Sequence, residues 1–163
     1  MARKQGVRRT SRDRTHHYID VENLAGSGRL RPQDVIDVRD RFQQAVAPDE
    51  MDLFTVGCDS SNAFHVRSAF PGARLVVGHG PDGADLALIE AMQEDMQSGA
   101  WSKQVLLGSG DHIFAPILAS MAGKGATTRV VGIEGHTSLR LKLAAHDTTL
   151  LPELEALPRK WSA

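Results

Sequence analysis

Apolar positions along this chain switch between two periods. Short apolar or alternating runs at 16–20, 51–57, 73–77, 103–107, 127–133 and 147–151 predict strands. The stretches between them repeat apolar residues every three to four positions. Residues 32–46 predict a helix, with Pro32 in its first turn and Val35, Val38, Phe42 and Val46 on one stripe. A second helix is expected from Asn62 to Phe70, stopped by Pro71-Gly72. The longest is expected over 83–98, with Leu86, Ile89, Met92 and Met96 on one side. Further helices are expected over 113–122, its first turn close to Pro116, and over 137–145.

Strands alternating with helices of these lengths predict βαβ units. The fold class expected is α/β: a three-layer α/β/α sandwich with a mostly parallel five- or six-stranded sheet. The near-continuous apolar runs 75–77 and 105–107 suit strands covered on both faces.

At 163 residues, 41 % apolar and 24 % charged, a single domain over 15–151 is expected, with a Pro-punctuated tail at 152–163. No apolar run approaches the ~20 residues that span a bilayer, and no secretory signal is visible, so a cytoplasmic, non-membrane protein is expected. Cys58 is the one cysteine, which excludes an internal disulfide and a cysteine-based zinc site. The net charge of −1 conceals an asymmetry. Residues 1–15 carry six basic side chains against Asp13, a net of +5 that leaves −6 for the rest. A basic, disordered arm at 1–14 could grip a polyanion or serve only to solubilise the chain. The low aromatic content gives no stacking platform for single-stranded nucleic acid.

Three acids stand out by position. Asp20 ends the first predicted strand, Asp85 opens the long helix after the third, and Asp111 follows the fourth. In open parallel sheets, sites form beyond the carboxyl ends of the strands, where all three loops would lie. Each acid has a structural alternative. Asp82 could cap the long helix with Asp85 in its first turn, Asp111 could cap the next helix, and Asp20 could shape a turn with Asn23. Three carboxylates gathered at one edge without bases favour a hard divalent cation and phosphate chemistry. His112, beside Asp111, is a candidate proton shuttle or phosphate contact. Ser60, Ser61 and Asn62, in the loop after the second strand, are candidate substrate contacts. Arg67, Arg74, Arg140 and Lys142 are candidate phosphate contacts. His16 and His17 are excluded as a metal pair because adjacent strand residues face opposite ways.

Tyr-Ile-Asp-Val-Glu-Asn-Leu at 18–24, Gly-Ala-Asp-Leu-Ala-Leu at 83–88, Leu-Gly-Ser-Gly-Asp-His-Ile-Phe at 107–114 and Thr-Ser-Leu-Arg-Leu at 137–141 resemble, in order and spacing, the motifs of the NYN domain family, a branch of the PIN-like nucleases. The resemblance implies a PIN-like, Rossmann-like topology and an Mg²⁺- or Mn²⁺-dependent ribonuclease acting on RNA. It implies Asp20, Asp85 and Asp111 as metal-binding acids, Asn23 as their polar partner and Ser109 as the residue that positions the Asp111 loop, near the substrate. It also suggests a homodimer. Two positions depart from the family pattern. Many members carry an acid where this chain has Ile113, and an Ala-Asp pair where it has Ala145-His146. Fewer carboxylates imply a weaker second cation site, for which Asp147 or Glu22 could compensate. The alternative function is a weakly active or inactive NYN module that binds RNA or a protein partner. A third reading is a different α/β phosphohydrolase or nucleotide binder; against it stand the lack of a Walker loop and of a Gly-x-Gly-x-x-Gly turn after the first strand, and Glu22 imitates only loosely the acid that an aspartyl-phosphatase with Asp20 as nucleophile wants two positions on.

Overall fold

Six strands and six helices follow one another in a computed structural model that describes residues 13–99 and 101–153. The expected basic arm falls outside the described residues except for Asp13 and Arg14, and so does the tail beyond Glu153. The strands are β1 (Thr15–Asp20), β2 (Leu53–Asp59), β3 (Arg74–Gly78), β4 (Gln104–Gly108), β5 (Thr127–Ile133) and β6 (Asp147–Leu151). All five pairings are parallel, in the order β3-β2-β1-β4-β5-β6. The helices are α1 (Val21–Ala25), α2 (Pro32–Val46), α3 (Ala63–Ala69), α4 (Gly83–Ser98), α5 (Ala115–Gly123) and α6 (Leu139–Ala144).

Alternation along the strands sends side chains to two apolar layers. Ile19, Val56, Leu106 and Val131 pack with Leu24, Val35, Val38, Phe42 and Val66, on the side of α1, α2 and α3. Tyr18, Val105, Leu107 and Val130 pack with Leu88, Met92, Leu118, Met121 and Leu141, on the side of α4, α5 and α6. Burying each such side chain contributes about 1.5–3 kcal/mol, so the two layers hold the sheet between helices as the α/β/α expectation requires. Pro116 occupies the first turn of α5, where its missing amide is harmless.

Two expectations fail locally. The apolar run 75–77 lies not in a fully covered strand but in edge strand β3, where Val77 is 38 % exposed. Hydrophobic content cannot tell an edge from a centre, because pairing order is a non-local property. Helix α1 has no signal in the pattern: five residues are too short to display a 3.6-residue period. It starts because the Asp20 carboxylate caps it, accepting from the Asn23 amide at 3.2 Å, and it stops at Gly26, whose φ of +71° suits glycine.

His16 and His17, at the amino end of β1, do face opposite layers. His17 Nε2 lies 2.9 Å from Asp52 Oδ2. His16 Nε2 meets Thr55 Oγ1 at 2.8 Å, and its Nδ1 meets the Tyr18 hydroxyl, which donates to Asp95. Burial, only partly offset by Asp95, depresses His16 from 6.5 to about 4. The unfolded chain therefore takes up a proton near pH 6.5 that the folded chain refuses until about pH 4. Stability is full above that window and declines as pH falls through it, by about 3 kcal/mol at 1.36 kcal/mol per unit. Urea melts from pH 8 downward are expected to show this decline in the wild type and a shallower one in His16→Gln. Identical slopes would show that His16 titrates alike in both states.

Candidate functional site at the carboxyl ends of the strands

Because every strand runs the same way, all six carboxyl ends share one edge. The strand order reverses between β1 and β4, and crevices at such a reversal are where open α/β sheets bind ligands. Asp20 sits there at the end of β1 and is 3 % exposed. Its Oδ1 accepts the Asn23 amide, and its Oδ2 accepts the Ser109 hydroxyl at 3.0 Å. Ser109 Oγ in turn accepts the Asp111 amide at 3.2 Å, while Asn23 Oδ1 accepts the Gly110 amide at 2.8 Å. The ends of β1 and β4 are thus stitched together by side chains that hold Asp20 in one orientation.

Asp85 reaches Asp20 from a different element. Helix α4 begins at Gly83, whose backbone rests against Gly78 at the end of β3. The turn before it holds Asp82 at φ +57°, a left-handed conformation rare for a residue with a side chain, and Asp82 makes no side-chain capping bond. The capping role open to Asp82 in the sequence is therefore not taken. Asp85, third in the helix, is half-buried and turns its carboxyl to within hydrogen-bonding reach of Asp20. Burial and then the Asp85 charge push Asp20 well above the ordinary carboxylate range, against the pull of the Asn23 and Ser109 hydrogen bonds. Asp85 is raised as well, chiefly by burial; its bond to Asp20 opposes this, and the charges of Asp111, Asp82 and Glu22 add to it. Two carboxyls this close, one of them buried, resist carrying full charge together without a counter-charge.

Asp111 is near but differently engaged. Its Oδ1 accepts the Ile113 amide at 3.0 Å, capping a 3₁₀ turn at His112–Phe114, and lies 3.2 Å from His112 Nδ1. It stands outside the cleft of about 340 Å³ whose acidic lining is Asp20, Glu22, Asp59, Asp82 and Asp85, with Asn23 beside them and, among the described residues, no lysine or arginine. Among the described residues, no three His, Cys, Asp or Glu side chains stand in ready-made metal-ligand geometry. Asp20 and Asp85 are brought together; Asp111 is brought alongside.

The other candidates divide. Ser60 and Ser61 are exposed on a 3₁₀ turn beside the cleft, with Ser61 bonded to Asp59 Oδ1 through both its amide and hydroxyl. His112 is 71 % exposed, its ring against Asp111. Asn62 and Ser109 are corrections: at 2 % and 0 % exposure, neither can touch a substrate. Asn62 instead donates to Glu22 Oε1 and Gly28 O and accepts the Leu30 amide, pinning three segments together. Arg74 lies at the amino end of β3, paired with Glu94 and Asp95, so it cannot serve phosphate at this edge. Asp147 starts β6, again at the opposite edge, where it pairs with Arg129. His146 is held there by Thr128. A larger cavity of about 1020 Å³ occupies that opposite edge, near His16, Thr55 and Arg74, remote from the paired acids.

Glu22 emerges as a member of the cleft. Its Oε1 accepts the Asp59 amide and Asn62 Nδ2, both at 2.7 Å, while its Oε2 is buried with no hydrogen-bond partner among the described residues. Sequence pattern could not assign it, because a residue two after Asp20 shares its side only if the strand continues. The chain instead turns into α1 at Val21.

No family model matches the sequence, and no curated protein matches it significantly. Among solved structures, a protein of unknown function from Vibrio parahaemolyticus aligns with a TM-score of 0.60 at 15 % identity, over 88 % of this chain and 96 % of that one. That likeness, together with the six-stranded parallel sheet, shows a three-layer α/β/α sandwich of Rossmann-like kind.

Proposed function

We propose that this chain is a divalent-cation-dependent ribonuclease that hydrolyses RNA phosphodiester bonds at the edge bearing Asp20 and Asp85, allied by its ordered motifs to the NYN branch of the PIN-like nucleases. The observation that carries the reading is the approach of two carboxyls to within hydrogen-bonding reach, in a cleft lined by five acids and, among the described residues, no lysine or arginine. The donors are hard oxygens, and the unpartnered Glu22 Oε2 adds another, so the site fits Mg²⁺ or Mn²⁺. Asp20, Asp85 and Asp111 would hold it. Such an ion polarises a phosphoryl oxygen and lowers the pKa of bound water.

The chain's own groups do the rest. Ser109 and Asn23 fix Asp20 and the β4 loop, so the acids need little reorganisation. His112, exposed and with its Nδ1 against Asp111, has Nε2 left to contact phosphate or move a proton. The Ser60 hydroxyl and the outer face of that turn offer contacts to the sugar–phosphate backbone. With Ile113 in place of a further acid, one cation is expected rather than two. Action in the cytoplasm and self-association as a homodimer belong to the same reading.

A weakly active or inactive module that binds RNA or a protein partner is the second reading. It is favoured by Ile113 and by the lack of a ready-made three-ligand group among the described residues. Incubation with single-stranded and structured RNA in Mn²⁺, Mg²⁺ or EDTA, beside Asp111→Asn, separates the two. Cleavage is expected with either ion, absent in EDTA and reduced in the variant. Cleavage that survives both EDTA and Asp111→Asn would overturn the proposal, and RNA binding without cleavage would favour the second reading.

A further inference from the structure

Asp111 spends one oxygen on capping its own turn and stands outside the cleft, and the position two residues on is Ile113, packed into the core beside α5. The β4 loop therefore offers the site one acid rather than two. Glu22 presents the opposite picture. It lines the cleft with Asp20 and Asp85. One of its oxygens is doubly bonded and the other has no partner.

The two oxygens differ in a way that a purely structural role does not explain. Oε1 anchors the turn after β2 by accepting the Asp59 amide and Asn62 Nδ2. A glutamine would supply that acceptor equally well. Nothing in the anchor requires a charge or a second oxygen, yet Oε2 is shut away from solvent without a hydrogen bond. An unsatisfied buried carboxylate oxygen of this kind is costly unless something occupies it.

Resting on the cation reading above, we infer that Glu22 Oε2 supplies a further carboxylate to the site, standing in for the acid that the β4 loop lacks at Ile113. The same side chain then joins the cation to the Ser60–Asn62 turn, because Oε1 holds the amide of Asp59 and the side chain of Asn62. Loading the site firms up the turn that borders the cleft. Asn62 is a positioning residue in this scheme: it aims Glu22 and ties the turn to Gly28 and Leu30.

The test uses the whole chain and Mn²⁺ alone, without RNA. Mn²⁺ affinity is measured by calorimetry and by the paramagnetic signal of free ion for the wild type, Glu22→Gln, Asp20→Asn and the surface control Glu90→Gln. Glu22→Gln keeps the Oε1 acceptor, so its melting temperature in EDTA should stay close to that of the wild type. Its Mn²⁺ affinity should fall by about ten- to a hundredfold, as for loss of a group that holds or orients a metal. Hydrogen exchange at the Asp59 and Ser61 amides should slow on Mn²⁺ addition in the wild type and Glu90→Gln but not in Glu22→Gln. Should Glu22→Gln fail to fold, Glu22→Asp carries the test: it keeps the charge but shortens the reach, and its Mn²⁺ affinity should fall as well.

Wild-type affinity in the variant at 22, with affinity lost in Asp20→Asn, would make Glu22 a loop anchor only and leave the proposed function standing. A wild-type chain that takes up no Mn²⁺ would overturn the cation reading and this inference together.

Discussion

Asp20→Asn is expected to abolish divalent-cation-dependent RNA cleavage and, in EDTA, to make the protein more stable than the wild type. The first effect follows from position. Asp20 is the acid that touches Asp85 and is oriented by both Ser109 and Asn23, so its loss removes a donor and the centre of the network. A decrease of about a hundredfold or more is expected, since even outer residues that orient metal ligands are worth 10–100-fold. The second effect follows from charge. An asparagine keeps an acceptor for the Asn23 amide, the Ser109 hydroxyl can rotate to meet the new amide nitrogen, and the like-charge contact with Asp85 disappears. Sites built for function are commonly strained in this way, and relief is worth about 1 kcal/mol. That corresponds to a rise of about 2–4 °C in a chain of this size. Cleavage assays and thermal melts on one preparation read both. A variant that cleaves normally, or that melts below the wild type in EDTA, would contradict the account of Asp20 as a strained site residue.

Gly78→Ala is expected to be among the most damaging single-methyl additions at this edge. A Cβ at Gly78 would fall closer than 3.0 Å to the carbonyl carbon and oxygen of Gly83 and to the nitrogen of Ala84. All three are backbone atoms at the start of α4, so no rotamer change relieves the clash. The helix must back away from β3, carrying Asp85 away from Asp20. Overpacking against fixed backbone costs about 3 kcal/mol or more, which corresponds to a fall of about 6–12 °C. Two neighbours serve as controls. Gly80→Ala meets open space and pays only for its φ of +73°, about 1–2 kcal/mol. Gly83→Ala approaches Gly78 at 3.2 Å, a tight but adjustable contact. Melting temperatures of the three variants should rank Gly78→Ala lowest. If Gly78→Ala matched Gly80→Ala, the close approach of α4 to β3 would not be what places Asp85.

The elements were largely legible from the alternation of periods, because a strand or a helix is written in residues a few positions apart. Alternation with helices also implied parallel pairing, and from that the shared edge for Asp20, Asp85 and Asp111. What remained illegible depended on neighbours distant in the chain. The run 75–77 looked as buried as 105–107, yet β3 is an edge strand and β4 is central. Asn62 looked like a substrate contact until the Gly28–Leu30 segment closed over it. Asp147 looked like a spare acid, although it starts a strand at the wrong end of the sheet. Glu22 was visible only as a residue near Asp20, since the turn into α1 decides where its carboxylate goes.

The sequence by itself determined the α/β class, the direction of the strands and the edge on which the chemistry-bearing residues fall, since local periodicity and chain connectivity settle these. Only the tertiary structure decided which acids meet. Asp20 touches Asp85 because two glycines let α4 press against β3, Asp111 turns back to cap its own turn, and Glu22 is drawn in by Asp59 and Asn62. Carboxylates repel, so nothing local brings them together. They are held in contact by packing and hydrogen bonds between segments far apart in the chain, energies that no short window of sequence contains.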